Sequence, residues 1–454
     1  MSEQIQKTGA AADRASNTSI FSYGPKGWRM MIFSMFVYFT VPFLANDSLN
    51  IFVPILAEGR QIDPGILYSF NTLAGWVAIP IAFVFSWLLR KSSKICITFG
   101  LLAAIIGCLW FGAATKGWHA FAIMLLFQIA FNGAVFLGTS NLVANWFPTR
   151  KGGAMGWVTI GASLNTAINP TIWTVMIAVL GTGLIGLSGM YRVWAVVLAA
   201  LLVFMLVAIK DNPEDSGAKP DNDPSISLKQ AQKDRETGNL YRTSSPWTVG
   251  RLLACKEVWM IAIASGVIML ITMGIISNWV NIGVANGLTP TGAIRLMAIA
   301  SVIGAIFSVI WGKVDAMKGV KFACVTFYCI MLVAMALWLV PSLPTLFIGS
   351  IFVGCSMGAG NNLMASMTAS LFGRYDFDKA WGIIYPIHVA IRSVGFMLVG
   401  LISTRTGSFR PAFIVMMILA AFAILVVSQL KVRMIGRNHV TEEELEAARA
   451  KAKA

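Results

Sequence analysis

Arg392 and His388 are the first residues of this chain that could do chemistry. They stand four apart, the spacing that puts two side chains on one helix face, in the middle of an apolar stretch. A carboxylate, Asp47, sits in another apolar stretch, within Asn46-Asp47-Ser48-Leu49-Asn50. An ionisable group at bilayer depth costs about 2.5–3.5 kcal/mol on insertion scales, so it faces an interior pathway rather than lipid. The Arg392 guanidinium is a planar fork that matches two carboxylate oxygens, which makes it a candidate substrate anchor. An ion pair with Asp47 would explain the same residue. His388, with an ordinary pKa near 6.5, could carry a proton, tune the site or be a satisfied buried imidazole. Asp47 could titrate, hold an amino or quaternary ammonium group, or pair with Arg392.

Amides accompany these charges. Gln128, Asn132, Asn141, Asn165, Asn169, Asn278, Asn281, Asn361 and Asn362 all fall in apolar runs, where amides join helices through hydrogen bonds. Asn278, Asn281, Asn361 and Asn362, with Trp279 and Tyr385, complete the expected binding set around Arg392 and His388; Asp47 and His388 are the coupling candidates. Of the tryptophans, Trp28, Trp118, Trp194, Trp247 and Trp259 read as an interfacial belt. Trp76, Trp157, Trp173, Trp279 and Trp381 could pack in the core or wall a cavity for an aromatic or quaternary ammonium ligand. The residues Ser356 to Asn362, rich in glycine, read as a weakened helix or a tight packing surface.

The elements that position these groups are long and apolar. The chain has 454 residues, 57% hydrophobic and 12% charged, against about 25% charged in soluble proteins. That excludes a soluble enzyme, a disordered regulator and a fibrous repeat. A spanning helix takes about 20 apolar residues, and twelve stretches qualify: 29–57, 66–89, 94–114, 118–146, 153–181, 189–209, then 258–286, 291–313, 320–341, 343–372, 379–404 and 409–432. The expected fold is an all-α polytopic membrane protein of twelve transmembrane helices in two six-helix halves. Its parts are an N-terminal tail (1–27), a first half (28–209), a linker (210–257), a second half (258–432) and a C-terminal tail (433–454).

If the N-terminus is cytoplasmic, the inner loops hold ten basic residues and the outer loops five, which supports both termini inside. The first 26 residues are polar and lack the apolar core of a signal peptide. Thr441-Glu442-Glu443-Glu444 has a capping-box pattern and reads as a short solvated helix. The net charge of +15 comes from basic residues that punctuate apolar runs, so a membrane rather than nucleic acid is the expected partner. The six cysteines show no Cys-x-x-Cys and no regular spacing, which indicates neither a disulfide framework nor a metal site. No nucleophile–base set stands out either, so an enzyme is not expected.

Two six-helix halves joined by a long linker resemble the major facilitator superfamily of secondary transporters. That superfamily carries Gly-x-x-x-Asp-x-x-Gly-x-Lys between helices 2 and 3, often repeated between helices 8 and 9. The repeat stands here as Gly312-Lys313-Val314-Asp315-Ala316-Met317-Lys318-Gly319-Val320-Lys321. The resemblance assigns gating to Gly312, Asp315, Gly319 and Lys321. Gly312 permits close helix approach, and Asp315 can pair with basic groups or cap a helix N-terminus. The first copy is degraded to Trp87-Leu88-Leu89-Arg90-Lys91-Ser92-Ser93-Lys94. The segment Asn145-Trp146-Phe147-Pro148-Thr149-Arg150-Lys151-Gly152-Gly153-Ala154-Met155-Gly156 is similar to a signature of the oxalate:formate antiporter and monocarboxylate-porter branch. Pro246 to Leu253 fits the amphipathic segment that precedes helix 7 in that branch. The basic residue the branch places on helix 8 falls near Ser308, and His388 stands where its helix 11 lysine would be. Oxalate is therefore not implied as the substrate.

The resemblance implies a secondary active transporter working by alternating access. The expected substrate is a small organic anion, a carboxylate or a zwitterion bearing one, carried by proton symport or by exchange, with the protein monomeric in the cytoplasmic membrane. A proton-coupled exporter of cationic or amphipathic drugs is the second expectation. It is opposed by Arg392 and by helix 5, Gly161-Ala162-Ser163-Leu164-Asn165-Thr166-Ala167-Ile168-Asn169-Pro170, which lacks Gly-x-x-x-Gly-Pro. A membrane sensor that binds without transporting is the third. No cofactor is expected.

Overall fold

The structure, a computed structural model, describes residues 23–89, 91–111, 117–148, 150–181, 183–233, 235–236, 245–437 and 446. The capping box at 441–444, Arg90, Lys116 and nearly all of the N-terminal tail lie outside these residues. Among them, twelve helices are long and apolar enough to cross a membrane. The first half holds α1 (Gly24–Asp47), α2 (Pro64–Leu89), α3 (Ser93–Phe111), α4 (Gly117–Trp146), α5 (Lys151–Leu180) and α6 (Gly183–Ala208). The second holds α7 (Lys256–Ser277), α8 (Pro290–Lys318), α9 (Val320–Trp338), α10 (Leu343–Gly373), α11 (Tyr375–Thr406) and α12 (Arg410–Gln429). Each half has its own apolar core; that of the first half also takes in Phe377, Trp381, Tyr385 and Phe396 of α11. Val179, Ile185, Val196 and Val207 are among the apolar side chains left exposed, which suits a lipid-facing surface.

Four expected helices are interrupted, and the interruptions recur three helices apart. After Pro42, α1 passes into a π-helical segment, Phe43–Asp47, and resumes as Leu49–Arg60. In α4 the π-helical segment is Phe131–Thr139. The helix expected over 258–286 stops at Ser277 and resumes as Trp279–Ala285. That expected over 343–372 stops at Met357 and resumes at Gly360. Irregular backbone at membrane depth survives only inside protein or beside a cavity, because lipid offers no hydrogen-bond partner. The Ala45 carbonyl in the α1 segment accordingly accepts from Asn71 (3.3 Å) and Gln128 (3.4 Å).

Close approach comes from small residues: a methyl at Gly161 of α5 would overlap the Met35 carbonyl oxygen of α1. Gly373 has φ +67, a conformation that admits the tight turn from α10 into α11 and that a Cβ would strain. The tail returns to this turn. Ile435 N–H and Gly436 N–H both donate to the Leu371 carbonyl (2.7 and 2.9 Å), and Tyr375 N–H donates to the Arg437 carbonyl (3.2 Å). The first part of the linker docks on the first half. Asp211 accepts from Ser92 Oγ (2.5 Å) and Lys94 N–H (2.9 Å), and Asp221 from Arg150 N–H (3.1 Å). The segment before α7 contains a short helix, Val249–Ala254, capped by Thr248.

Two bands of contact close the interface between the halves. At the linker face, Gly312 comes against the Gly152 backbone, and Ser308 Oγ donates to the Gly156 carbonyl (2.9 Å). Towards the opposite face Asn50 Nδ2 donates to the Ile276 carbonyl (3.1 Å), and at mid-helix beside Arg392, Thr72 donates to that of Ser393 (3.1 Å) and Trp76 to that of Ala390 (3.2 Å).

Candidate functional site

Arg392 is fully buried on α11. One terminal nitrogen donates to Asn132 Oδ1 (2.8 Å) and Gln128 Oε1 (3.3 Å), both on α4 of the other half. Phe131 and Phe136, from the π-helical segment of α4, lie 4.7 and 5.5 Å from the guanidinium carbon. Tyr385 also donates to Asn132 Oδ1 (2.8 Å). These contacts leave buried nitrogens without a protein partner: Arg392 Nε and Nη1, Asn132 Nδ2, Trp381 Nε1 and His388 Nε2. All but the histidine nitrogen are donors in any protonation state of this site. His388 stacks beside Tyr385, and its Nδ1 lies 3.2 Å from Ser265 Oγ.

The pairing of Arg392 with Asp47 is not formed. Asp47 accepts instead from Asn165 Nδ2 (2.6 Å) and Thr166 Oγ1 (3.0 Å) on α5. That ion pair is one of several readings the sequence leaves open for the two residues; the fold satisfies the carboxylate with neutral donors of its own half. Asp47 lines a cavity of about 50 Å³ with Asn46, Phe131, Ser163, Asn165, Thr166, Thr272 and neighbouring methionines. Phe131 is thus a wall shared by the cavity and the Arg392 cluster. Ligand pockets commonly hold roughly 300–1,000 Å³, so this cavity is smaller than a ligand of that kind needs.

Other expected site residues are engaged elsewhere. Asn278 marks the break in the helix after Ser277 and donates to the Gly274 carbonyl and Ser277 Oγ (3.1 Å each). Trp279 donates to the Ala293 carbonyl and packs on Trp338, while Asn281 reaches the Tyr68 hydroxyl at 3.4 Å. Asn362 is buried near Gly312 rather than beside Arg392; the Asn361 side chain lies outside the described residues. In the gating motif, Asp315 accepts from Ser366 and lies beside Gly152 at the start of α5. Gly319 ends α8 with φ +82. Lys321 donates to the Ser428 and Leu430 carbonyls, holding the end of α12 rather than meeting Asp315.

Arg295 is exposed. Trp194, expected in an interfacial belt, is buried with Trp173 and Phe43 in the first-half core. Of the candidate cavity tryptophans, Trp381 is the one stacked against the Arg392 cluster through Tyr385.

Sequence reasoning passed over Gln128 and Asn132 as partners of Arg392, and over Phe131 and Phe136. The signal was present: two amides four apart put polar groups on one face of an otherwise apolar helix.

The family model of the Major Facilitator Superfamily matches residues 30–341. The chain belongs to that superfamily. It is 24% identical over 281 residues to a phosphoglycerate transporter protein of Salmonella typhimurium (strain LT2), a match covering 60% of this chain and 59% of the relative. Its fold is also that of a POT family transporter solved with 5-aminolevulinic acid, at TM-score 0.63 and 15% identity over 90% of this chain and 98% of the other. The human organic anion transporter MFSD10 (TETRAN) aligns at TM-score 0.64 and 14% identity, over 89% and 100%.

Proposed function

We propose that this superfamily transporter carries a small organic anion by alternating access, with Arg392 as its oxyanion anchor. One observation carries the reading: a fully buried guanidinium that makes no ion pair among the described residues keeps Nε and Nη1 without a partner, beside the unpartnered Asn132 Nδ2. Unpaired buried charge is costly, and a bidentate oxyanion would complete it. His388 and Tyr385 border the same ligand. The Salmonella relative is named for phosphoglycerate and the human neighbour for organic anions. Both names support acids bearing carboxylate or phosphoryl oxygens as the substrates to test first.

In this reading the halves rock about the site. Asp47 is the coupling group: it faces the central cavity without a cationic partner, so a proton taken there would be tied to the opening of the halves. The working unit is a monomer in the cytoplasmic membrane with both termini inside.

The deciding experiment is thermal stabilisation of the purified protein by formate, lactate, succinate, 3-phosphoglycerate, glycine betaine and a quaternary amine, for wild type, Arg392→Met, Arg392→Lys and Asp47→Asn. A ligand at 100 times its Kd adds about 2.7 kcal/mol. Stabilisation by an acid that is lost in folded Arg392→Met supports the reading. Stabilisation by cations alone, dependent on Asp47, replaces it with the exporter.

A further inference from the structure

The basic pair at the start of α5 divides its work. Arg150 is a structural residue, with its backbone N–H on Asp221 and its guanidinium over Tyr23 at 4.5 Å. Lys151 points the other way. It is 6% exposed, its Nζ has no hydrogen-bond partner, and that nitrogen sits 3.3 Å from the ring centroid of Phe377 on α11 of the opposite half. A lysine near a helix end ordinarily extends its ammonium to water; this one is held under a ring.

Phe377 is also the first rung of an aromatic ladder on one face of α11. Phe377–Trp381, Trp381–Tyr385 and Tyr385–His388 stack with centroids 5.1, 6.0 and 5.7 Å apart and planes within 24°. One turn beyond His388 stands Arg392. A single apolar wall therefore joins two buried cations, one at the linker-face closure and one at the anion site.

We propose that Lys151 is a second anion-binding group of the transport path, covered in the closed state and exposed when the linker face opens. The carboxylate that acts on it and two others in nearby segments belong to the second half. Asp378 follows Phe377 on α11 and acts on Lys151 electrostatically, Asp376 accepts from Ser245, and Asp315 lies at Gly152. Parting the halves removes the ring and these carboxylates together. Lys151 then remains at the N-terminus of a long helix, where the backbone dipole adds to its charge. An anion leaving Arg392 along the ladder meets it, and an anion arriving from the linker face meets it first.

The inference rests on the anion reading of Arg392, and the following test judges it separately. Ser163 lines the central cavity on α5, so Ser163→Cys serves as a reporter beyond Lys151. Proteoliposomes exposing only the linker face would receive sulfonatoethyl or trimethylammonioethyl methanethiosulfonate, with labelling of residue 163 read by peptide mass spectrometry. A cationic mouth raises the local concentration of anions by about tenfold or more. The anion-to-cation rate ratio should therefore fall by at least about tenfold in Lys151→Met and stay near its starting value in Lys151→Arg. An unchanged ratio in Lys151→Met overturns the proposal, as does an absence of labelling from the linker face. Neither outcome touches the stabilisation assay on Arg392→Met, which decides the anchor itself.

Discussion

The two buried charges of this superfamily member are finished to different degrees. Asp47, on α1, has a donor for each oxygen, Asn165 and Thr166. Asn165 is in turn held by Asn169 (2.8 Å), which also holds the Phe39 carbonyl (2.9 Å). The whole chain of bonds lies within the first half. Arg392 reaches from the second half to acceptors on the first and still leaves donors over. A charge whose hydrogen bonds close within one rigid body travels with that body. In the proposed cycle, a charge that spans the interface and remains incomplete releases its acceptors when the halves part, and its open donors are where the proposed anion would bind.

The largest expected effect breaks this contrast at its open end. Arg392→Met should weaken binding of the stabilising acid by at least about 100-fold, about 2.7 kcal/mol, with Arg392→Lys in between because an ammonium keeps the charge and loses the fork. Titration of the thermal shift gives both values. Next comes Asn132→Ala, which removes the 2.8 Å bond to Arg392 and an open donor. A bond to a charged group is worth about 1.5–3 kcal/mol, so affinity should drop by roughly tenfold or more.

Asp47→Asn should leave oxyanion affinity within about threefold, since its bonds do not reach Arg392, while abolishing accumulation driven by a pH gradient in vesicles. A collapse of binding in Asp47→Asn would merge the two centres and end the comparison. The smallest effect belongs to Asn165→Ala, where losing a donor to Asp47 should lower stability by about 1–3 kcal/mol without altering ligand selectivity, as followed by thermal unfolding with and without the acid.

The twelve spans were legible because length and hydropathy are local properties of the chain, and so was the prominence of Arg392, a charge where lipid forbids one. The breaks were not. A π-helical turn shifts the pattern by one residue within an apolar stretch, and only Pro42 hinted at the first. Trp279 looked like a cavity residue because hydropathy tells that a side chain is buried and never against which helix, and Asn281, expected beside it, is exposed. Lys151 was hidden for a related reason: beside Arg150 in a loop signature it reads as surface charge, and only the packing of α11 across α5 reveals that it is covered. The partnership of Arg392 with Gln128 and Asn132 spans more than half the chain and both halves, which no spacing rule reaches.

The return of the tail to the α10–α11 turn has a consequence for synthesis. The Leu371 carbonyl receives its two N–H groups from Ile435 and Gly436, which leave the ribosome only after α12. Until then the bend that carries Phe377, and above it the arm bearing Arg392, is built on an unfilled acceptor. The Arg392 cluster is therefore among the last parts of the molecule to acquire its final support, and a nascent chain stalled within α12 would hold every residue of that cluster yet lack the brace beneath it.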